Sequence, residues 1–406
     1  MIKSLKLPGL IWLVLLGTLL SRFGTSMVLP YITTILVVKK HIALFWPGLA
    51  LGGSYLMQSL SSSFGARFYR RSTPIQVIQK FTYLYASVFL LLGCLSIFVE
   101  QKIWIVLGVL ASFLMIGACR SFIETTGQTI ISEVAPYDQK AFVFSLRYVF
   151  INVSTVLGPI VGFATGILNT DTVFFVTAIA VLAYAPLLKL AHHAPLLAGQ
   201  QKKSGASSAL GEIFQVLFED KKLIYFTLAS IFIYMGFSQL DLMFALLSYT
   251  YTHSNAVFVV MMAINGGAIV LLQLPLVAWG KRFNIHKVLL GGICLLSAGL
   301  VVIALAAFHS VHVLYYLGSF IFTLGEIFTL SLLGIYLDLI APAEKRYAYF
   351  SIGNFSMLGR IIGPIISGGL CYWIGLRWNL VGMALITLIA AAFIYAALRL
   401  GRGAAS

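Results

Sequence analysis

The run VLLGGICLLSAGLVVIALAAF, residues 288–308, contains 21 residues and no charged side chain. An α-helix rises 1.5 Å per residue, so about 20 apolar residues cross the hydrocarbon layer of a membrane. A helix satisfies its own backbone hydrogen bonds, which a lone strand in lipid cannot do. The run is therefore predicted to form a transmembrane helix.

Comparable apolar runs recur along the whole chain between charged or turn-rich breaks. Of the 406 residues, 60% are hydrophobic and 10% are charged. In soluble domains about 45–50% of the residues are apolar and about 25% are charged. This composition excludes an ordinary soluble enzyme and a disordered chain. The predicted fold class is an all-α polytopic membrane protein with twelve spans. Spans 1 to 12 fall near residues 8–38, 43–66, 74–98, 103–132, 142–167, 172–190, 223–251, 256–280, 288–308, 313–339, 347–374 and 379–399.

The net charge of +15 is explained by the placement of the basic residues. If the N-terminus lies in the cytoplasm, 19 lysines and arginines fall in inner segments and four in outer segments. Such a bias is the positive-inside pattern of membrane proteins. Both termini are therefore expected in the cytoplasm, and nucleic acid is not an expected partner.

Two similar segments divide the chain into halves. EVAPYDQKAFVFS, residues 133–145, aligns with LIAPAEKRYAYFS, residues 339–351, at a shift of 206 residues. A parallel repeat of six spans is typical of one large class of transporters. We expect an N-terminal bundle over residues 1–191, a cytoplasmic linker over 192–222 with a short surface helix around Glu212–Phe218, and a C-terminal bundle over 223–406.

Five stretches carry a family resemblance. They are RFGTSMVLPYITTIL (22–36), RSFIETTGQTIISEVAP (120–136), SLRYVFINVSTVLGPIVGF (145–163), QLPLVAWGKRFNIHKVLL (273–290) and FTLGEIFTLSLLGIYLDLIAP (322–342). With them the chain resembles the major facilitator superfamily over essentially its whole length, and more narrowly its twelve-span drug:proton antiporter branch. The resemblance implies two six-helix bundles, with spans 1, 4, 7 and 10 lining a central cavity.

The chain departs from this family in the loop after span 2. The family pattern G-x-L-a-D-R-x-G-R-R is here SSFGARFYRR, so Ala66 and, in the second half, Lys281 replace the acid that helps latch the cytoplasmic side. We expect Arg147 to snorkel at the cytoplasmic end of span 5. Gly158-Pro159 and Gly363-Pro364 are each expected to form a tightly packed kink, and a hinge or a leak barrier between the cavity and the outside is a compatible alternative. The gating or structural candidates are Arg67, Arg70, Arg71, Arg147, Gly158, Pro159, Gly162, Arg282, Arg360, Gly363 and Pro364.

Charged residues within the spans mark the candidate site, because a charge at mid-bilayer costs at least about 2.5–3.5 kcal/mol. They are Arg22, Arg120, Glu124, Asp241, Glu326 and Arg360. A proton-coupled carrier needs a carboxylate whose proton affinity depends on conformation, through wetting and the approach of an arginine. We expect Asp241 and Glu326 to fill this role first, and Glu124 third. The alternative is that these acids form fixed ion pairs joining the halves.

Other polar and aromatic residues flank these charges. Arg120, Glu124 and Gln128 are spaced i, i+4, i+8, so they form one polar face of span 4. Aromatic side chains near the acids suit stacking against an aromatic substrate, although packing in the core is the alternative. The substrate-cavity candidates are Arg22, Arg120, Gln128, Tyr31, Tyr234, Phe237, Gln239, Met243, Phe244 and Thr323.

The sequence therefore predicts a secondary transporter, not an enzyme. We expect proton-coupled efflux of a small amphipathic or zwitterionic organic compound, such as a drug-like molecule, a secreted metabolite or a siderophore. One alternative is a proton-coupled symporter that imports a nutrient, because fold does not decide direction. Another is a non-transporting membrane receptor or assembly factor.

The remaining expectations concern surroundings and partners. No cofactor or metal is expected, since the sequence shows no phosphate-binding loop or HExxH run, and His309 and His312 alone are weak evidence of a metal site. The expected partners are a small-molecule substrate, protons and the lipid bilayer, and the protein is expected to be a monomer. The expected location is a bacterial inner membrane.

Overall fold

A computed structural model describes residues 7–69, 72–136, 139–191, 210–280, 282–342 and 345–402, and these residues form helices and no strand. The twelve predicted spans are confirmed in that part of the chain. The helices of spans 1 to 6 are Gly9–Thr34 with Ile35–Lys39, Phe45–Tyr69, Pro74–Phe98, Lys102–Val134, Lys140–Ala164, and Thr172–Leu182 with Tyr184–Leu187. Spans 7 to 10 are Lys221–Phe237 with Gln239–Leu242 and Phe244–Thr252, then Asn255–Gly280, Ile285–His309 and His312–Ile340. Spans 11 and 12 comprise Arg346–Gly353 and Met357–Arg402.

The boundary between spans 11 and 12 lies at Gly375, whose φ of 76° breaks the helix. Such a left-handed conformation is accessible to glycine without a steric penalty. Other spans begin with a side-chain cap. Thr73 and Gln76 form a reciprocal capping box at the start of span 3, with Pro74 at the first helical position. Asn284 accepts from the backbone N–H of His286, at 3.0 Å, where span 9 begins.

Length and composition place these helices in a membrane. In the described part of the chain, nine helices are long and apolar enough to cross one. One of the nine, Tyr349–Leu400, contains both span 11 and span 12. Thr172–Leu187 of span 6 is a shorter apolar helix, and Phe45–Tyr69 of span 2 falls outside the nine.

The described residues fall into two compact units. The first lies within Met1–Ile42 and Gly53–Gln200, and the second within Ala43–Gly52 and Gln201–Ser406. The predicted linker, residues 192–222, is described only from residue 210 onward. There the predicted surface helix is confirmed as Leu210–Glu219.

The same packing contact occurs once in each unit. In the first, Gly158 of span 5 packs against Ser26 and the carbonyl of Phe23 in span 1. In the second, Gly363 of span 11 packs against Ser238 and Met235 of span 7. The absence of a side chain at both glycines lets two helix backbones approach closely, as is common between membrane helices.

The surface helix and the N-cap of span 7, Asp220, are both bonded to the start of span 11. Lys345 Nζ donates to Glu219 Oε2 at 2.8 Å, and the Tyr349 hydroxyl donates to Asp220 Oδ2 at 2.5 Å. The hydrogen bond from Lys345, with a further one from Gln215, lowers the pKa of Glu219 below its ordinary value. Glu219 therefore stays ionised, and this contact stays intact, until the pH falls below the ordinary range of a glutamate.

We expect Gly158→Ala and Gly363→Ala to destabilise the protein by about 1–3 kcal/mol each, because the added methyl group collides with the facing helix. Gly334→Ala is the matched control, since a methyl group there meets no atom within 4 Å. Thermal unfolding in detergent, followed by tryptophan fluorescence, measures the effect. Equal melting temperatures for all three variants and the wild type would contradict the close-packing role.

Candidate functional site

The charges of the first unit meet around Glu124. Arg22 of span 1 donates through Nη2 to Glu124 Oε1 of span 4, and Arg120 Nε lies 3.7 Å from the same oxygen. Arg120 and Glu124 share a helix face because they are one turn apart. Glu124 is thus held by two guanidinium groups.

Arg147 of span 5 corrects the sequence prediction. It does not snorkel to the cytoplasmic surface: the residue is only 8% exposed and lines the same cavity as Arg22, Arg120 and Glu124. Tyr85 of span 3, which the sequence analysis did not single out, is 1% exposed and also lines this cavity. Within the described residues, neither Arg147 Nε nor the Tyr85 hydroxyl has a hydrogen-bond partner.

The cavity lies among spans 1, 3, 4 and 5 and has about 370 Å³ of empty volume, counting the part that opens to solvent. Its wall combines one acid, three arginines, three hydroxyl side chains and one tyrosine. The lining residues are Thr18, Ser21, Arg22, Thr25, Tyr85, Arg120, Ile123, Glu124, Gly127 and Arg147.

In the second unit, Asp241 lies where span 7 is interrupted. The helix stops at Phe237 and again at Leu242, so Asp241 sits on the separate turn Gln239–Leu242. Arg360 Nη2 of span 11 donates to Asp241 Oδ2 at 2.8 Å. The guanidinium carbon of Arg360 also lies 5.2 Å from the ring centroid of Phe237, a cation–π distance.

Glu326 of span 10 has a different environment. Asn265 Nδ2 of span 8 donates to Glu326 Oε2 at 2.9 Å and lies 2.9 Å from Thr323 Oγ1. Ser319, on the same face of span 10, donates to the carbonyl of Met261 at 2.9 Å. The polar stripe of span 10 therefore faces span 8. Within the described residues, Glu326 makes no ion pair.

Several predicted cavity residues lie in the packed core instead. Met243, Phe244, Gln239 and Thr323 are fully buried, and Tyr31 is nearly so. Phe244 packs edge-to-face on Phe322, with ring centroids 5.0 Å apart. In this structure these five side chains are covered by protein.

Three other substrate-cavity candidates have side chains that are exposed or partly exposed. Gln128 is exposed, while Tyr234 and Phe237 are partly exposed and pack edge-to-face with ring centroids 6.2 Å apart. The aromatic pair is thus partly exposed beside the Asp241–Arg360 bridge.

The gating candidates have mixed outcomes. The side chain of Arg67, and all of Arg70 and Arg71, lie outside the described residues. Arg282 lies exposed in the turn after span 8. Gly162 packs against Leu168, and Pro159 and Pro364 lie inside helices.

Sequence reasoning missed three features of this arrangement: Tyr85, the pairing of Arg360 with Asp241, and the donation from Asn265 to Glu326. Arg360 and Asn265 were visible as polar residues within apolar spans. Their partners depend on the register between different helices, which spacing along one helix does not give.

Comparison with known proteins agrees with the fold. The family model described as Major Facilitator Superfamily matches residues 14–357 and 226–405. The chain belongs to this superfamily, and it is a multi-pass membrane transporter.

Particular relatives are distant. An uncharacterized MFS-type transporter, YqjV of Bacillus subtilis (strain 168), is 26% identical over 379 residues, covering 89% of this chain and 85% of the relative. A Na(+), Li(+), K(+)/H(+) antiporter of Planococcus maritimus is 22% identical over 295 residues, covering 66% of this chain and 69% of the relative.

Solved structures share the fold. The crystal structure of the nucleoside transporter NupG matches with a TM-score of 0.79 at 14% identity, covering 96% of this chain and 99% of that one. A bacterial homologue of the human lysosomal transporter Spinster matches with a TM-score of 0.73 at 16% identity, covering 96% of each chain.

We expect Glu124→Gln to lower the apparent melting temperature by roughly 5 °C, because it leaves two partly buried arginines without their carboxylate partner, at a cost of about 3 kcal/mol. Glu133→Gln is the matched control, since Glu133 is exposed at the end of the same span. Differential scanning fluorimetry of the two purified variants provides the comparison. A Glu124→Gln protein as stable as the control would show that the arginines do not depend on this carboxylate.

Proposed function

We propose that this transporter couples proton uptake to the efflux of a small amphipathic or zwitterionic organic compound by alternating access. The observation that carries the proposal is the environment of Glu326. Among the three acids embedded in the spans, Glu124 and Asp241 have arginine partners, whereas Glu326 receives an amide donor and no ion pair within the described residues. Its carboxyl group is therefore the one best suited to gain and lose a proton.

The physical basis is the cost of an uncompensated charge. An ionised carboxylate removed from water is unfavourable unless a cation pairs with it, and protonation removes the charge. A hydrogen bond from Asn265 supports the ionised form only partly. A change of conformation that wets Glu326 favours release of the proton, and one that excludes water favours its uptake.

Asp241 is the second coupling residue in this proposal. Its bridge to Arg360 joins span 7, at its interruption, to span 11. Breaking the bridge leaves the Asp241 carboxylate and the Arg360 guanidinium without each other as partners. A proton on Asp241 removes the negative charge that pairs with Arg360. Protonation and the packing of span 7 against span 11 are thereby linked.

The proposed location is a bacterial inner membrane with both termini in the cytoplasm. Support comes from the 19 basic residues in the segments assigned to the inside against four outside, and from the bacterial relatives. The partly exposed Tyr234 and Phe237 beside Arg360 suit a compound with an aromatic or apolar part.

Exchange of an alkali cation for protons is a second candidate function. It is favoured by the relative from Planococcus maritimus, described as a Na(+), Li(+), K(+)/H(+) antiporter. In this candidate function the carboxylates of Asp241 and Glu326 would offer oxygen ligands, the type that hard cations prefer.

We expect wild-type protein in liposomes with an internal pH dye to move protons when its substrate is added, and Glu326→Gln to abolish this movement. Asp241→Asn is expected to reduce it at least tenfold. Glu133→Gln, which neutralises an exposed carboxyl group, serves as the matched control and should retain wild-type activity. The panel comprises organic cations, organic anions, amino acids, metal chelators and pulses of Na⁺, Li⁺ and K⁺.

Each outcome of this assay decides between the candidates. The sign of proton movement, with protein orientation determined, separates antiport from symport. A response to the alkali cations alone would replace organic efflux by cation exchange. Wild-type rates in Glu326→Gln would overturn the role given to this carboxyl group.

A further inference from the structure

We propose that the arginine cluster of the first unit binds an anionic group of the substrate, so the transported compound carries a carboxylate or phosphate. That the bound compound is transported rests on the proposed function, whereas the anion site rests on residues of the first unit alone. It narrows the substrate from any amphipathic compound to an organic anion or a zwitterion bound through its negative end.

The first observation is an imbalance of charge around one cavity. Arg22, Arg120 and Arg147 bring three positive charges to its wall, and Glu124 brings one negative charge. Arg22 and Arg120 both approach the same oxygen of Glu124. The lining residues therefore carry an excess of two positive charges, in a part of the protein formed by membrane-spanning helices.

The second observation is a pair of donors without acceptors. Arg147 is 8% exposed and Tyr85 is 1% exposed. Neither the Nε of Arg147 nor the hydroxyl of Tyr85 has a hydrogen-bond partner within the described residues, and both side chains line the cavity. Buried polar groups usually bond to protein or to ordered water, so two such donors at the wall of one cavity are placed to bind the acceptor oxygens of a ligand.

The chemistry of the donors selects the ligand. A guanidinium group presents a planar fork of N–H donors that fits carboxylate and phosphate oxygens. Tyr85 adds a neutral donor from span 3, and its ring is held by Phe89 at a centroid distance of 5.2 Å. An excess of two positive charges suits a phosphate ester or a dicarboxylate, and it repels a lipophilic cation.

Glu124 has a defined part in this arrangement. Because it engages Arg22 and Arg120, it fixes their guanidinium groups on one side of the cavity. In the part of the chain that the structure describes, Arg147 of span 5 has no carboxylate contact of its own. The ligand is therefore expected to contact Arg147 and Tyr85 directly. Substitution of either should weaken ligand binding without removing the Arg22–Glu124 pair.

The test measures binding to the purified full-length protein in detergent by isothermal titration calorimetry. The probes are phenyl phosphate, succinate, inorganic phosphate and the cation tetraphenylphosphonium. We expect phenyl phosphate or succinate to bind, and tetraphenylphosphonium not to bind. Arg147→Gln should weaken binding of the anion at least tenfold. Tyr85→Phe, which removes a single hydroxyl group, should weaken anion binding about three- to tenfold.

Matched controls separate a local effect from a general one. Arg399→Gln removes an exposed arginine, and Tyr372→Phe removes the hydroxyl of a tyrosine that is 82% exposed. Both should bind like the wild type. If Arg147→Gln does not fold, Tyr85→Phe still decides the question. Unchanged anion affinity in Tyr85→Phe and in any folded Arg147 variant would overturn the proposal. Binding of tetraphenylphosphonium, with no binding of any anion, would overturn it as well.

The results also distinguish this inference from the proposed function. Anion binding that depends on Arg147 and Tyr85, without proton movement in liposomes, would support the site and refute the coupling. Proton movement evoked only by compounds without an anionic group, with no anion binding, would refute the site and leave the coupling intact. Binding of inorganic phosphate and of neither organic anion would overturn the assignment to an organic substrate.

Discussion

Pairing of charges inside the bilayer is the constraint on which this structure depends. Each embedded charge must be stabilised by protein groups, because lipid offers none. In the first unit this is achieved by bringing Arg22 of span 1 to Glu124 of span 4, and in the second by bringing Arg360 of span 11 to Asp241 of span 7. These contacts fix the rotation of each helix about its own axis, so the other polar faces are positioned as a consequence.

The two units use one packing scheme for different chemistry. Spans 1 and 5 in the first unit, and spans 7 and 11 in the second, meet at a glycine that faces a serine. Around this shared contact the first unit gathers arginines, whereas the second places two acids and one arginine. The proposed anion site and the proposed proton-coupling acids therefore belong to separate sets of side chains on similar scaffolds.

The helices could be predicted from the sequence because an apolar run of about 20 residues has few alternatives to a membrane span. The embedded acids could be predicted for the same reason, since a charge in such a run is conspicuous. The position of Arg147 could not, because distance from a helix end does not reveal which neighbouring helix covers a side chain. Tyr85 gave no signal either, being one of 19 tyrosines in a chain rich in aromatic residues.

The paired glycine contacts have an evolutionary consequence. A second contact, between a glycine and a threonine, also occurs once in each unit. In the first, the backbone of Gly24 in span 1 accepts a hydrogen bond from Thr177 Oγ1 of span 6 at 3.0 Å. In the second, Gly236 of span 7 packs directly against Thr387 of span 12. Selection that preserves these few small residues leaves the lining of each unit free to diverge. A gene built in this way can acquire a new cargo by replacing a handful of side chains, while its ability to fold in the membrane is inherited unchanged.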